Sequence, residues 1–166
     1  MDILRRTYWY KVFRWAALAN TFVALVWTVL IILPFSPFSY AQPIIVAGGP
    51  GIWLTIAYVL YIAVGAGGFG WLSGLLFTIE VQENRTPHRG LLFAGFALLF
   101  AGVNLACFVL AYAGASGGYA STIRNVNGVM LSQILQPFVY PVSALVLVTV
   151  AGAGAVLLAL IRARGP

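Results

Sequence analysis

Polar and charged positions divide this chain into four long apolar stretches. Trp15 to Leu33, Ile52 to Ile79, Leu91 to Tyr112 and about Val139 to Ile161 contain no charged residue. Each is long enough to cross ~30 Å of hydrocarbon as a helix rising ~1.5 Å per residue. A backbone in lipid finds no water for its N–H and C=O groups, so spans of this kind close their hydrogen bonds within a helix; barrel strands would show shorter, alternating segments. The pattern predicts an all-α membrane protein, a four-transmembrane-helix bundle in which residues 1–166 form one membrane domain.

The second stretch holds 28 residues, about 42 Å as a continuous helix, more than the hydrocarbon accommodates at ordinary tilts. It should protrude or bend, and Gly65, Ala66, Gly67 and Gly68 mark the place. Pro137 and Pro141 sit near the outer end of the fourth stretch, where a proline costs little if it falls in the first helical turn. Pro34 to Gly51 carries four prolines and three glycines without a charge, which predicts an ordered coil that hugs the surface, dipping into the interface or covered. Ala113 to Gln136 reads as a longer, more polar connection, with a turn at Gly114, Gly117 and Gly118 and a short interfacial helix over Val129 to Leu135. The connection Glu80 to Gly90 is short, so the second and third spans should be antiparallel neighbours.

Charge adds orientation. Arg5, Arg6, Lys11 and Arg14 precede the first span, Arg85 and Arg89 lie between the second and third, and Arg162 and Arg164 follow the fourth. Eight of nine basic residues thus share one face, and Arg124 alone lies on the other. The positive-inside rule makes the crowded face cytoplasmic, an N-in/C-in arrangement. The location this predicts is multi-pass, in a prokaryotic plasma membrane with both termini cytoplasmic. The basic start and Ser39, Tyr40, Ala41 imitate a signal peptide, but an apolar run of 19 residues exceeds the ~7–15 of a signal core, and an uncleaved first span is expected.

Composition narrows the chemistry. Hydrophobic residues make up 62% of the chain, charged residues 7%, and the mean hydropathy is +0.99, against roughly a quarter charged in a soluble domain. The net charge of +6 is dispersed as orientation signals, which speaks against nucleic-acid binding. His88 is the single histidine and Cys107 the single cysteine. Paired haem ligands, a histidine-rich metal site and a CxxC pair therefore cannot be built from this chain alone, and no cofactor is expected. The acidic residues Asp2, Glu80 and Glu83 all fall at or beyond predicted boundaries, whereas proton-coupled transporters usually place an ionisable group at depth.

The remaining candidates each have a plain and a sharper reading. Glu80 is read as an interfacial charge paired with Arg85 or Arg89, worth under ~1 kcal/mol, with proton entry as the alternative. His88 is read as a solvated loop residue or, more sharply, a pH-sensitive contact. Asn84, Arg85, Thr86 match the glycosylation pattern, but the charge rule places them inside. Asn104, and likewise Asn20, is an intramembrane polar group whose plain role is an interhelical hydrogen bond worth ~0.6 kcal/mol; the sharper role is a conduction path or contact with another subunit's cofactor.

Small residues give the strongest packing signal. Ala66, Gly70 and Gly74 form a ridge on the second span, and Ala151, Ala155 and Ala159 form one on the fourth; such ridges let helices approach closely, within the bundle or against another chain. Without a buried acid, a ligand set or a nucleophile arrangement, the chain is expected not to be an enzyme. The expectation is an accessory subunit of a larger membrane complex, a respiratory or other bioenergetic assembly, whose partners are the lipid bilayer, other integral membrane subunits and, it allows, a bound lipid. The alternatives are a small transporter or channel, as a homo-oligomer, and a lipid- or quinone-directed enzyme.

Overall fold

The computed structural model describes residues 8–33 and 40–163. Four helices in it are long and apolar enough to cross a membrane: Trp9–Ile32, Gly49–Gln82, Arg89–Thr122 and Gly128–Ile161. Their outward faces carry Trp15, Phe22, Trp71, Leu147 and Val150, each more than 60% exposed. That is a surface for hydrocarbon rather than water. Asp2, Arg5, Arg6, Pro34, Pro37, Ser39 and Arg164, used above for charge and for the first connection, lie outside the described residues.

Helix α1 is Trp9–Ile32. The segment expected to be coil contains a short helix, α2, over Ala41–Ala47. Gln42 Nε2 donates to the Ile32 carbonyl at 2.8 Å, satisfying one of the free acceptors at the end of α1. Gly48 and Gly49 then turn the chain with φ of 72° and 57°, values a side chain disfavours. The next helix comprises α3 (Ile52–Leu60), a π-helical stretch (Tyr61–Gly68), α4 (Phe69–Phe77) and a second π-helical stretch (Thr78–Gln82). The first π-helical stretch falls on the glycine-rich place where the sequence predicts a bend. A wider helical ladder there suits residues with little side chain to crowd it.

Helix α5 runs Arg89–Thr122 and α6 runs Gly128–Ile161, 34 residues each. Both exceed the sequence expectation, and the long connection shrinks to five residues. The glycines explain why. Gly114, Gly117 and Gly118 are buried within α5, and a Cβ on each would overlap the Leu54 backbone, Leu135 with Pro50, and Ile44 respectively. They are close-approach points that seat α2, α3 and α6 against α5, and that packing offsets a helical cost of ~1 kcal/mol per glycine. Asn125, at φ 50°, makes the real turn, aided by the Val126 amide donating to the Ala120 carbonyl. Asn127 Oδ1 then caps α6 by accepting from the Met130 amide at 3.0 Å. Pro137 and Pro141 consequently lie inside α6 rather than in its first turn.

The core lies toward the end that carries the Glu80–Gly90 connection. Phe13, Phe69, Leu76, Leu92 and Val156 are fully buried there. Phe13 meets Phe96 edge-on at 5.1 Å, and Phe69 meets Phe96 and Phe100 edge-on at 6.0 and 5.9 Å. These are preferred aromatic geometries, each worth ~0.5–1.5 kcal/mol beyond burial.

Candidate functional site

Three features carry the candidate chemistry: a polar node at mid-span, a set of caps around the Glu80–Gly90 connection, and two openings on the lipid-facing surface. The node joins three helices. Asn20 on α1 donates from Nδ2 to the Gly65 carbonyl at 2.7 Å, and Asn104 on α5 donates from Nδ2 to the Phe100 carbonyl at 2.8 Å. Both amide oxygens then face the Tyr61 hydroxyl, at 3.1 and 2.9 Å. The hydroxyl carries one proton, so it is shared between two acceptors. Asn20 is 2% exposed and Tyr61 0%.

Each amide nitrogen donates to a backbone carbonyl and the hydroxyl proton is shared, so the node ties α1, the Tyr61–Gly68 stretch and α5 together. Tyr61 is a residue that sequence reasoning missed. Its signal was available: a phenol in the middle of an apolar span, one helix away from two mid-span asparagines, needs a partner. Beside it, Trp27 stacks on Phe108 at 5.6 Å and 7°, and both rings lie within 5.7 Å of the Tyr61 ring.

Glu80 reaches the start of α1. Its carboxylate oxygens accept from the backbone amides of Trp9 and Tyr10, each at 3.2 Å. These are the first amides of α1, which lack partners inside the helix and sit at its positive dipole end. Arg85 turns elsewhere: it meets Glu83 at 3.4 Å, with both side chains more than 40% exposed, and Nη2 donates to the Ala163 carbonyl just past α6 at 2.6 Å. His88 Nδ1 accepts from the Leu91 amide at 3.3 Å and so caps α5. Arg89 is exposed and shares a small cleft with Glu80, Arg85 and Pro87. One connection therefore holds the near ends of α1, α5 and α6.

The two small-residue ridges have different fates. On α6, the residues that meet α5 are Gly152, Val156 and Ala159, all buried; Ala155 is half-buried and Ala151 exposed. Their counterparts are Gly95 and Gly102, where a Cβ would crowd Val156 and Thr149. The internal seam thus runs one residue off the Ala151–Ala155–Ala159 line and keeps only its last member. On the second span, Ala66 is half-buried, Gly70 and Gly74 are exposed, and a Cβ at either glycine would meet nothing within 4 Å.

That second ridge borders an open groove of about 610 Å³ between α1 and α4, walled also by Arg14, Leu18 and Thr21. A larger cavity, about 820 Å³, lies toward the other end between α1, α2 and α5, with Trp27, Ile44, Phe108 and Tyr119 among its walls. Among the described residues, no cluster of three or more His, Cys, Asp or Glu side chains is placed to hold a metal ion. In comparisons with protein-family models, curated proteins and solved structures, nothing matches the chain.

Proposed function

We propose that this chain is a non-catalytic accessory subunit of a larger integral membrane complex, docked through the groove between α1 and α4. The carrying observation is the ridge of Ala66, Gly70 and Gly74 beside the groove, whose two glycines are exposed and would meet nothing within 4 Å if each bore a Cβ. Small residues on a lipid-exposed face give up favourable contact with lipid and gain it back when a second helix approaches closely. Arg14 at the edge of the groove supplies a cation for a partner's carboxylate or carbonyl near the interface. In this reading the Glu80–Gly90 connection and both termini face the cytoplasm, by the distribution of basic residues, and the host is a respiratory or other bioenergetic assembly in a prokaryotic plasma membrane.

The interior supports a scaffold over a conduit. Phenylalanine rings fill the bundle at one depth, and the polar groups at the next bond to one another and to backbone carbonyls across three helices. The test is extraction from native membranes in mild detergent, followed by identification of the chains that co-migrate. A defined set of membrane subunits is expected with the parent chain, and Gly70→Leu should release it. Unchanged co-migration of G70L, or solute flux by the chain alone in liposomes, would sink the proposal.

A further inference from the structure

We propose that the cavity between α1, α2 and α5 is a binding site for one anionic phospholipid, with a hydrocarbon chain inside and the phosphate on Arg124. The inference is independent of the docking groove, which lies between α1 and α4.

The cavity has the depth of one leaflet. Its walls run from Val23 to Ile31 on α1 and from Phe108 to Tyr119 on α5, about 12 and 17 Å at ~1.5 Å per residue. Half of a ~30 Å hydrocarbon core is about 15 Å. The stacked rings of Trp27 and Phe108 line the cavity where it comes nearest the Tyr61 node. The walls are almost wholly apolar, and the volume of about 820 Å³ is in the range of ordinary ligand sites, ~300–1,000 Å³. A polar headgroup cannot occupy that interior without leaving its hydrogen-bonding groups unsatisfied, whereas an acyl chain loses nothing by entering.

The mouth supplies the charge. Tyr119, a wall residue, packs edge-on against Tyr40 at 5.4 Å, and the Arg124 guanidinium lies over the Tyr119 ring at 5.5 Å. Arg124 is exposed and belongs to no ion pair among the described residues. It is also the lone basic residue on its side of the sequence pattern. A guanidinium held on an aromatic ring at headgroup level, directly above an acyl-sized slot, fits a phosphate whose own tail fills that slot. The net-neutral headgroup of a zwitterionic lipid gains less from one cation, because its own ammonium competes for the phosphate.

The full-length chain in nanodiscs of equal phosphatidylglycerol and phosphatidylcholine, read by native mass spectrometry, tests this. One retained lipid per chain is expected, predominantly phosphatidylglycerol. Arg124→Gln should keep that lipid but cut the preference about fivefold, the worth of one basic side chain at a membrane surface. Ala115→Phe, which fills the slot from its α5 wall, should abolish retention without lowering the melting midpoint. Should that variant unfold, benzoylphenylalanine in place of the exposed wall residue Tyr112 in native membranes decides: a lipid adduct supports the site and an adduct to another protein chain overturns it. Retention unchanged in a folded A115F, or a phosphatidylglycerol preference that R124Q leaves intact, overturns it as well.

Discussion

Around the Glu80–Gly90 connection, helix ends are joined by polar side chains reaching across sequence, with Glu80 on the first amides of α1 and Arg85 on the carbonyl past α6. Around the turn at Asn125, the joining is done by absence of side chain: Gly114, Gly117 and Gly118 let Leu54, Leu135 and Ile44 approach the α5 backbone. The first arrangement tolerates small displacements, since a carboxylate rotates to follow its donors. The second does not, because a close approach of backbones has no adjustable part. The two ends should therefore break differently.

The largest effect is expected at the close-approach end. Gly114→Leu places a side chain against the Leu54 backbone, which cannot move without displacing α3, and should cost about 3 kcal/mol or more. The melting midpoint in detergent reads it; an unchanged midpoint would mean that α3 and α5 are not in this contact. At the polar end, Glu80→Ala leaves two amides of α1 without their acceptor, and a loss of about 2 kcal/mol is expected. Hydrogen exchange separates the two cases. E80A should raise exchange at Trp9 and Tyr10 and leave the rest of α1 protected, while G114L should loosen α3 and α5 together.

Between the two ends lies the node, and the expected effect there is smaller. Tyr61→Phe removes the proton that Asn20 and Asn104 share, at a cost of ~0.6–1.7 kcal/mol, the measured range for interhelical hydrogen bonds in lipid. The Asn104→Leu change should then cost less in the Y61F background than alone, since their shared bond is already gone. Additive losses would show that the two side chains do not interact.

The spans were legible because nothing charged interrupts them, and a single Asp or Arg at depth would have been visible. Helix ends were not. Gly114, Gly117 and Gly118 carry the same letters whether they turn a chain or admit a neighbour, and only the neighbour, supplied by α2 and α3 from sixty and more residues away, decides. The internal seam on α6 was not separable from the alanine ridge for a related reason. Ala151–Ala155–Ala159 and Gly152–Val156–Ala159 both recur at helical spacing and share Ala159, and their centres differ by only about 70° of rotation. Glu80 was read as an interfacial charge, and the two α1 amides it accepts from were not foreseen, since side-chain charges show in a sequence and unpaired backbone amides do not. Asn127, which caps α6 by accepting from the Met130 amide, lay inside the stretch read as a connection.

The smallest effect on stability is also the sharpest test of how the ridges differ. Gly102 on the internal seam and Gly70 on the open groove are both mid-span glycines, and an intrinsic scale treats their replacement alike. Gly102→Leu drives a side chain into Thr149 and should destabilise the isolated chain. A Cβ at Gly70 meets nothing within 4 Å, and Gly70→Leu replaces a poor helix former by a good one, so the isolated chain should keep its stability or gain up to ~1 kcal/mol, read as a melting midpoint that holds or rises. A marked loss of stability in isolated G70L would mean that this face is already packed within the chain, and the groove would then have no room for a partner.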